Sequence, residues 1–166
     1  MHEILSERST VLDNPNFRAW FGNSKIVDTN GQPLRLYHGT NADFTSFESG
    51  RNKVKNETGI FFSPNPAVAS MYSGYDEIFP ADQIGTVMPV YLKIENPLIV
   101  DFKGNKHGRS EIINQAIASG HDGVILRNHY DAGGVQDQYV VFHPNQIKSV
   151  FNQGDWSSNN SNIMED

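Results

Sequence analysis

Every apolar run in this 166-residue chain is short, and nearly every one is closed by Gly, Asn, Asp or Pro. Ile26-Val27, Leu34 to Tyr37, Ile60 to Phe62, Val87 to Ile94, Leu98 to Phe102, Gly123 to Arg127 and Gln138 to Phe142 have strand length and strand composition. None could hold a long helix, and none approaches a membrane span. Helical spacing recurs in three places only. Pro15 to Phe21 has Asn14 as a cap, Pro15 as first residue and Gly22 as stop. A second helix is expected over 66–73, entered through Ser63-Pro64-Asn65. The third is expected over 110–119, with Ser110 as cap, Ile112, Ile113, Ala116 and Ile117 as inner face and Gly120 at its end. Many short strands with few helices between them define an α+β domain.

Asp28-Thr29-Asn30-Gly31-Gln32-Pro33, flanked by apolar pairs, reads as a hairpin turn. Residues 74–86 carry no period and read as a surface loop, and Asp131-Ala132-Gly133-Gly134 reads as a loop between two strands. Residues 1–13 are expected to be a flexible leader, 14–151 one domain, and 152–166 a polar, mobile tail. The length suits one well-filled core rather than two domains.

Composition excludes several classes of function. With no cysteine there is no disulfide framework and no cysteine-ligated metal, which fits the cytoplasm. The first residues have neither the basic nor the apolar region of a signal peptide. A net charge of −6 disfavours non-specific binding to a phosphate backbone. The six histidines lack helical ligand spacing, so no metal site is expected. No G-x-G-x-x-G follows a strand, and there is no phosphate-binding G-x-x-x-x-G-K-[ST] or G-x-S-x-G elbow.

Three segments can be read together. Tyr37-His38-Gly39-Thr40 ends a strand with a ring nitrogen, a bare backbone and a hydroxyl. Gly59-Ile60-Phe61-Phe62-Ser63 precedes a helix carrying Ala69 and Tyr72. Asp137-Gln138-Tyr139-Val140-Val141-Phe142 is the third. Taken singly, His38 reads as a structural histidine at a strand end, Tyr72 as a core aromatic, and Gly133-Gly134 as a hairpin tip. Phe61 and Phe62 should divide between core and cleft, because strand side chains alternate. Alternation also sets Tyr139 and Val141 on one face and Gln138, Val140 and Phe142 on the other, with Asp137 pointing away from Gln138.

In this order the segments resemble the ADP-ribosyltransferase fold in its His-Tyr-Glu branch, shared by diphtheria-like toxins and poly(ADP-ribose) polymerases. Phe17-x-x-Trp20-Phe21-Gly22-x-Ser24-Lys25-x-Val27-Asp28 is similar to the opening of the ADP-ribosyltransferase domains of phage and mobile-element polyvalent proteins. Gly31-x-Pro33-Leu34-x-x-Tyr37-His38-Gly39-Thr40, Val90-Tyr91-Leu92-x-x-x-Asn96-Pro97-Leu98, Asp122-Gly123-Val124-Ile125 and Gln146-Ile147-Lys148-Ser149 continue the pattern.

The resemblance implies two packed, mostly antiparallel sheets around a central NAD cleft, with short flanking helices. NAD would be the co-substrate, and no metal is needed. His38, Tyr72 and Gln138 would be the catalytic set. His38 would bond a ribose hydroxyl with Thr40 in support, Gly39 would meet the nicotinamide carboxamide through its backbone, and Tyr72 would stack on the nicotinamide ring. Tyr37, Phe61 or Phe62 would form the opposite wall, with Ser63 near the same cleft. Gly133, Gly134 and Gln136, in a mobile loop, would select the acceptor.

Gln138 departs from the glutamate usual at that position. A glutamine keeps a hydrogen bond but loses the charge that steadies a cationic ribose. Transfer of a single ADP-ribose, without polymer, is the expectation. The acceptor would be protein or nucleic acid, and the role that of a phage- or mobile-element-derived intracellular toxin, with room for a cognate antitoxin or immunity partner and no membrane association. Two other outcomes stay open: a catalytically weakened NAD-binding or interaction module, and an NAD glycohydrolase.

Overall fold

A computed structural model describes residues 12–40, 59–69, 86–131 and 133–151. The expected leader up to residue 11, the later part of the second helix with Tyr72, most of the 74–86 loop and the tail lie outside the described residues.

Asn14 caps helix α1 (Pro15–Phe21), its side chain accepting from the Asn16 N–H at 2.8 Å, and Gly22 ends it at φ +55°. That start and stop follow the sequence expectation. Strands β1 (Leu36–Thr40), β3 (Thr86–Leu92) and β7 (Ile147–Ser149) form an antiparallel front sheet in the order β1-β3-β7. The back sheet, ordered β2-β6-β5-β4, contains β2 (Ile60–Phe62), β4 (Pro97–Asp101), β5 (Gly123–Asp131) and β6 (Gly134–Val141). Its β4–β5 pair is parallel, and helix α2 (Arg109–Ala118) makes the crossover that a parallel pair needs.

Pro89 sits inside β3 without breaking the sheet. Its carbonyl accepts from the Val150 N–H at 3.2 Å, so its missing N–H faces the side where β7 has already ended.

Four layers result. Phe17, Trp20 and Phe21 of α1 pack with Tyr91 and Val150 on the outer face of the front sheet. Leu36, Val90, Leu92 and Ile147 meet Ile60, Phe62, Ile125, Tyr139 and Val141 between the sheets. Ile113 and Ala116 of α2 cover Val124, Leu126, Val140 and Phe142 on the outer face of the back sheet. Residues 138–141 of β6 are thus buried on both faces, with the division between odd and even residues that alternation predicts.

Several local expectations need correction. Asn30-Gly31 does form a tight turn, Gly31 N–H to Asp28 O at 3.0 Å, but the flanking segments share only a single bridge, Val27 to Pro33. Helix α2 begins at Arg109, so Ser110 is not its cap; Gly108, left-handed at φ +99°, stands there with no side-chain cap bond. Ile117 is exposed, because only Ile113 and Ala116 of that helix turn fully onto the sheet. The loop expected between two short strands is mostly strand: β5 and β6 extend to a tip at Gly133, φ +81°, with Asp131 paired to Gly134.

Candidate active site

β1 stays paired with β3 along its whole length, and its other edge meets the chain just past β2 of the back sheet. Tyr37 and Ser63 exchange backbone bonds, Tyr37 N–H to Ser63 O at 2.9 Å and Ser63 N–H to Tyr37 O at 3.0 Å. This bridge fixes His38 beside β2. Its Nδ1 lies 2.9 Å from the Phe61 carbonyl, and its ring centroid lies 5.2 Å from that of Phe62. A carbonyl can only accept, so Nδ1 carries a proton, and the tautomer protonated there has its acceptor at Nε2.

Gly39 and Thr40 complete β1, paired with Val87 and Thr86. Ser63 is buried, and its Oγ accepts from the Asn65 N–H at 3.0 Å. Phe62 lies in the core between the sheets, while Phe61 is half-buried on the opposite face, as alternation requires.

Phe61 leads to Gln138. The Arg109 guanidinium, from the first turn of α2, lies 4.6 Å over the Phe61 ring. It also donates to the Asp131 Oδ2 at 2.9 Å and the Gln138 Oε1 at 3.2 Å. Gln138, only 2% exposed, donates from Nε2 to Asp131 Oδ2 at 2.9 Å, and its Oε1 lies 2.8 Å from Nδ1 of the equally buried His129. The charges orient the amide: reversed, its oxygen would face a carboxylate and its NH2 a guanidinium. Nδ1 of His129 therefore carries a proton too.

A β-bulge builds this cluster. Leu126 pairs with Gln138 but His129 pairs with Gln136, so Arg127 and Asn128 stand against Asp137 alone. Asn128 takes up the extra residue at φ +52°, a conformation that asparagine tolerates. Past the bulge the alternation is offset, and His129 and Asp131 join Gln138 on one face. Asp137 points the other way, as expected, bonded to Arg127 NH1 at 2.9 Å and the Asn128 N–H at 3.0 Å.

Gln136 belongs to β6 and donates to the Asp131 carbonyl at 2.9 Å; Gly133 is exposed at the tip and Gly134 begins β6. Arg109, His129 and Asp131 also line a cleft of about 390 Å³ with Lys106, His107, Gly108, Ser110, Glu111 and Tyr130. Sequence reasoning missed these three residues. The hairpin tip was the signal available for Asp131, but alternation counted along β5 from Val124 and Leu126 puts Asn128 and Tyr130, not His129 and Asp131, on the Gln138 face.

His129 is held below the ordinary histidine value, first by burial and then by the Arg109 charge. Its bond to Gln138, the Asp131 charge and the Lys106 backbone, close but outside bonding geometry, oppose this only in part. A pKa lower in the folded than the unfolded chain favours the neutral ring. That stability is present above the unfolded value of about 6.5 and is lost as pH falls through the folded value. Thermal melts between pH 8 and 5 are therefore expected to show Tm falling below about pH 6.5, with a smaller fall in His129→Gln. An equal pH slope in the two proteins would contradict the assignment.

Among the described residues there is no group of three His, Asp or Glu arranged to hold a metal, and no helix long and apolar enough to cross a membrane.

Two mostly antiparallel sheets meeting beside His38, at the middle of β1, with few short helices, form an α+β ADP-ribosyltransferase fold. The family model for the ADP-ribosyltransferase in polyvalent proteins matches residues 28–157, and the chain belongs to that family. No curated protein matches it.

Proposed function

We propose that this chain cleaves NAD at the nicotinamide–ribose bond and transfers a single ADP-ribose to a macromolecular acceptor. The observation that carries the reading is the placement of His38 and Gln138 on either side of Phe61. His38 is bonded to the Phe61 carbonyl, and Gln138 is joined to the Phe61 ring through Arg109.

In this reading His38 accepts a ribose hydroxyl at Nε2, its ring fixed by the Nδ1 bond. The backbone of Gly39 meets the carboxamide, and Tyr37, Phe61 and Ser63 wall the cleft, with Phe62 behind them in the core. Tyr72 stacks on the nicotinamide. Gly133, Gly134 and Gln136, at and beside the exposed hairpin tip, contact the acceptor. A glutamine at 138 suits one transfer and no polymer. The biological role is that of an intracellular toxin or effector of phage or mobile-element origin, acting in the cytoplasm, with a cognate antitoxin or immunity partner.

A second reading, a module that binds NAD without cleaving it, is favoured by one observation: Oε1 of Gln138 already accepts from two donors. Calorimetry with NAD, paired with assay of free nicotinamide, separates the two. Nicotinamide release supports the transferase; binding without release over long incubation overturns it. Free ADP-ribose with no labelled macromolecule from lysate would identify a glycohydrolase instead.

A further inference from the structure

Gln138 is poorly placed to accept a ribose hydroxyl. It is 2% exposed, and Oε1 receives both the Arg109 guanidinium and the His129 ring. An amide oxygen has two lone pairs, and both are used. Among the described residues one carboxylate bonds directly to it: Asp131, whose side chain keeps 22% exposure and lines the cleft beside Arg109 and His129. That cleft adjoins the His38 side through the Phe61 ring under Arg109. Arg109 and Gln138 each donate to its Oδ2 at 2.9 Å, which fixes the plane of the carboxylate. The bulge at Asn128 turns it onto this face.

We propose that Asp131, on β5, is the carboxylate that stabilises the cationic ribose during NAD cleavage, and that Gln138 is a residue that positions it. The inference rests on the transferase reading above. In the step, the bond between ribose C1′ and the pyridinium nitrogen breaks, and its electron pair leaves with neutral nicotinamide. Positive charge moves to C1′ and the ring oxygen. The acceptor's lone pair then closes the new bond at C1′ and its proton passes to solvent, while Asp131 stays anionic throughout. This placement also accounts for glutamine at 138. A glutamate there would set a second carboxylate within hydrogen-bonding distance of Asp131, and like charges so close resist joint ionisation.

Asp131→Asn removes the charge and can keep both accepted bonds. Nicotinamide release by the full chain should fall about 100-fold in kcat, with KM for NAD changed less than about threefold, because the charge acts on the transition state. The charge-relocated double variant Asp131→Asn/Gln138→Glu should recover at least about tenfold of that loss. A purely structural carboxylate predicts neither the kcat-only loss nor the recovery. If Asp131→Asn does not fold, the double variant decides alone: release within about tenfold of the wild type supports the inference, and release below about a hundredth overturns it. A folded Asp131→Asn protein as active as the wild type overturns this inference and leaves the transferase reading standing. A wild-type chain that leaves NAD intact overturns both.

Discussion

His38→Ala is expected to lower nicotinamide release from NAD by about 100-fold or more, while the protein still folds. The structural cost is small. The ring is half-buried, and its bond to the Phe61 carbonyl is worth about 1 kcal/mol. The functional cost is larger, because a ring pinned at Nδ1 offers Nε2 to the substrate in one fixed direction. Losing that contact frees the ribose to rotate, and a misplacement of about 1 Å at a reacting centre costs about 100-fold. His38→Gln provides the control, since it can restore a bond to the carbonyl without placing an acceptor where Nε2 stood. Steady-state nicotinamide release, read beside a thermal melt, checks the prediction. Equal rates for wild type and His38→Ala would remove His38 from the catalytic set.

Gln146→Leu is expected to have the largest effect on stability, about 3–5 kcal/mol. The Gln146 side chain is almost wholly buried and makes four hydrogen bonds to backbone. Oε1 accepts the N–H groups of Phe142 and His143 at 3.1 and 2.9 Å; Nε2 donates to the carbonyls of Lys93 and Asp122 at 2.9 and 2.7 Å. One amide thus ties together the ends of β3 and β6 and the entry to β5, which lie in different sheets. Leucine has the volume but leaves all four groups unpaired, and a buried unpaired group costs about 1–3 kcal/mol where water does not reach it. For a chain of this size Tm should drop by roughly 10 °C. Gln146→Glu should also destabilise, by turning a carboxylate oxygen toward two carbonyls. A Tm within about 2 °C of wild type would show that these bonds are replaced by solvent.

Local patterning carried much of the fold. Asn14, Pro15 and Gly22 bound α1 because caps act within a single turn. The two-residue alternation over 138–142 set both faces of β6, because a strand buried on both sides leaves no freedom of register. What remained illegible depended on contacts distant in sequence. Nothing near Asn128 announces a bulge, so the offset that brings His129 and Asp131 to Gln138 could not be read from alternation. The same holds for Arg109. Its role depends on a helix that starts without a side-chain cap and crosses to cover Phe61. His38 was expected to end its strand, but β1 runs on through Gly39 and Thr40, and its tautomer, set by a carbonyl 23 positions away, was not legible either.

The central claim is transfer of one ADP-ribose from NAD by a site containing His38. Its most direct test is to incubate the chain with lysate and NAD labelled in the adenosine portion, and to measure released nicotinamide against label fixed on protein and on nucleic acid. The account predicts equal molar amounts of nicotinamide and fixed label, one ADP-ribose per modified site, and neither product with His38→Ala. Nicotinamide without fixed label, or label that His38→Ala leaves unchanged, would contradict it.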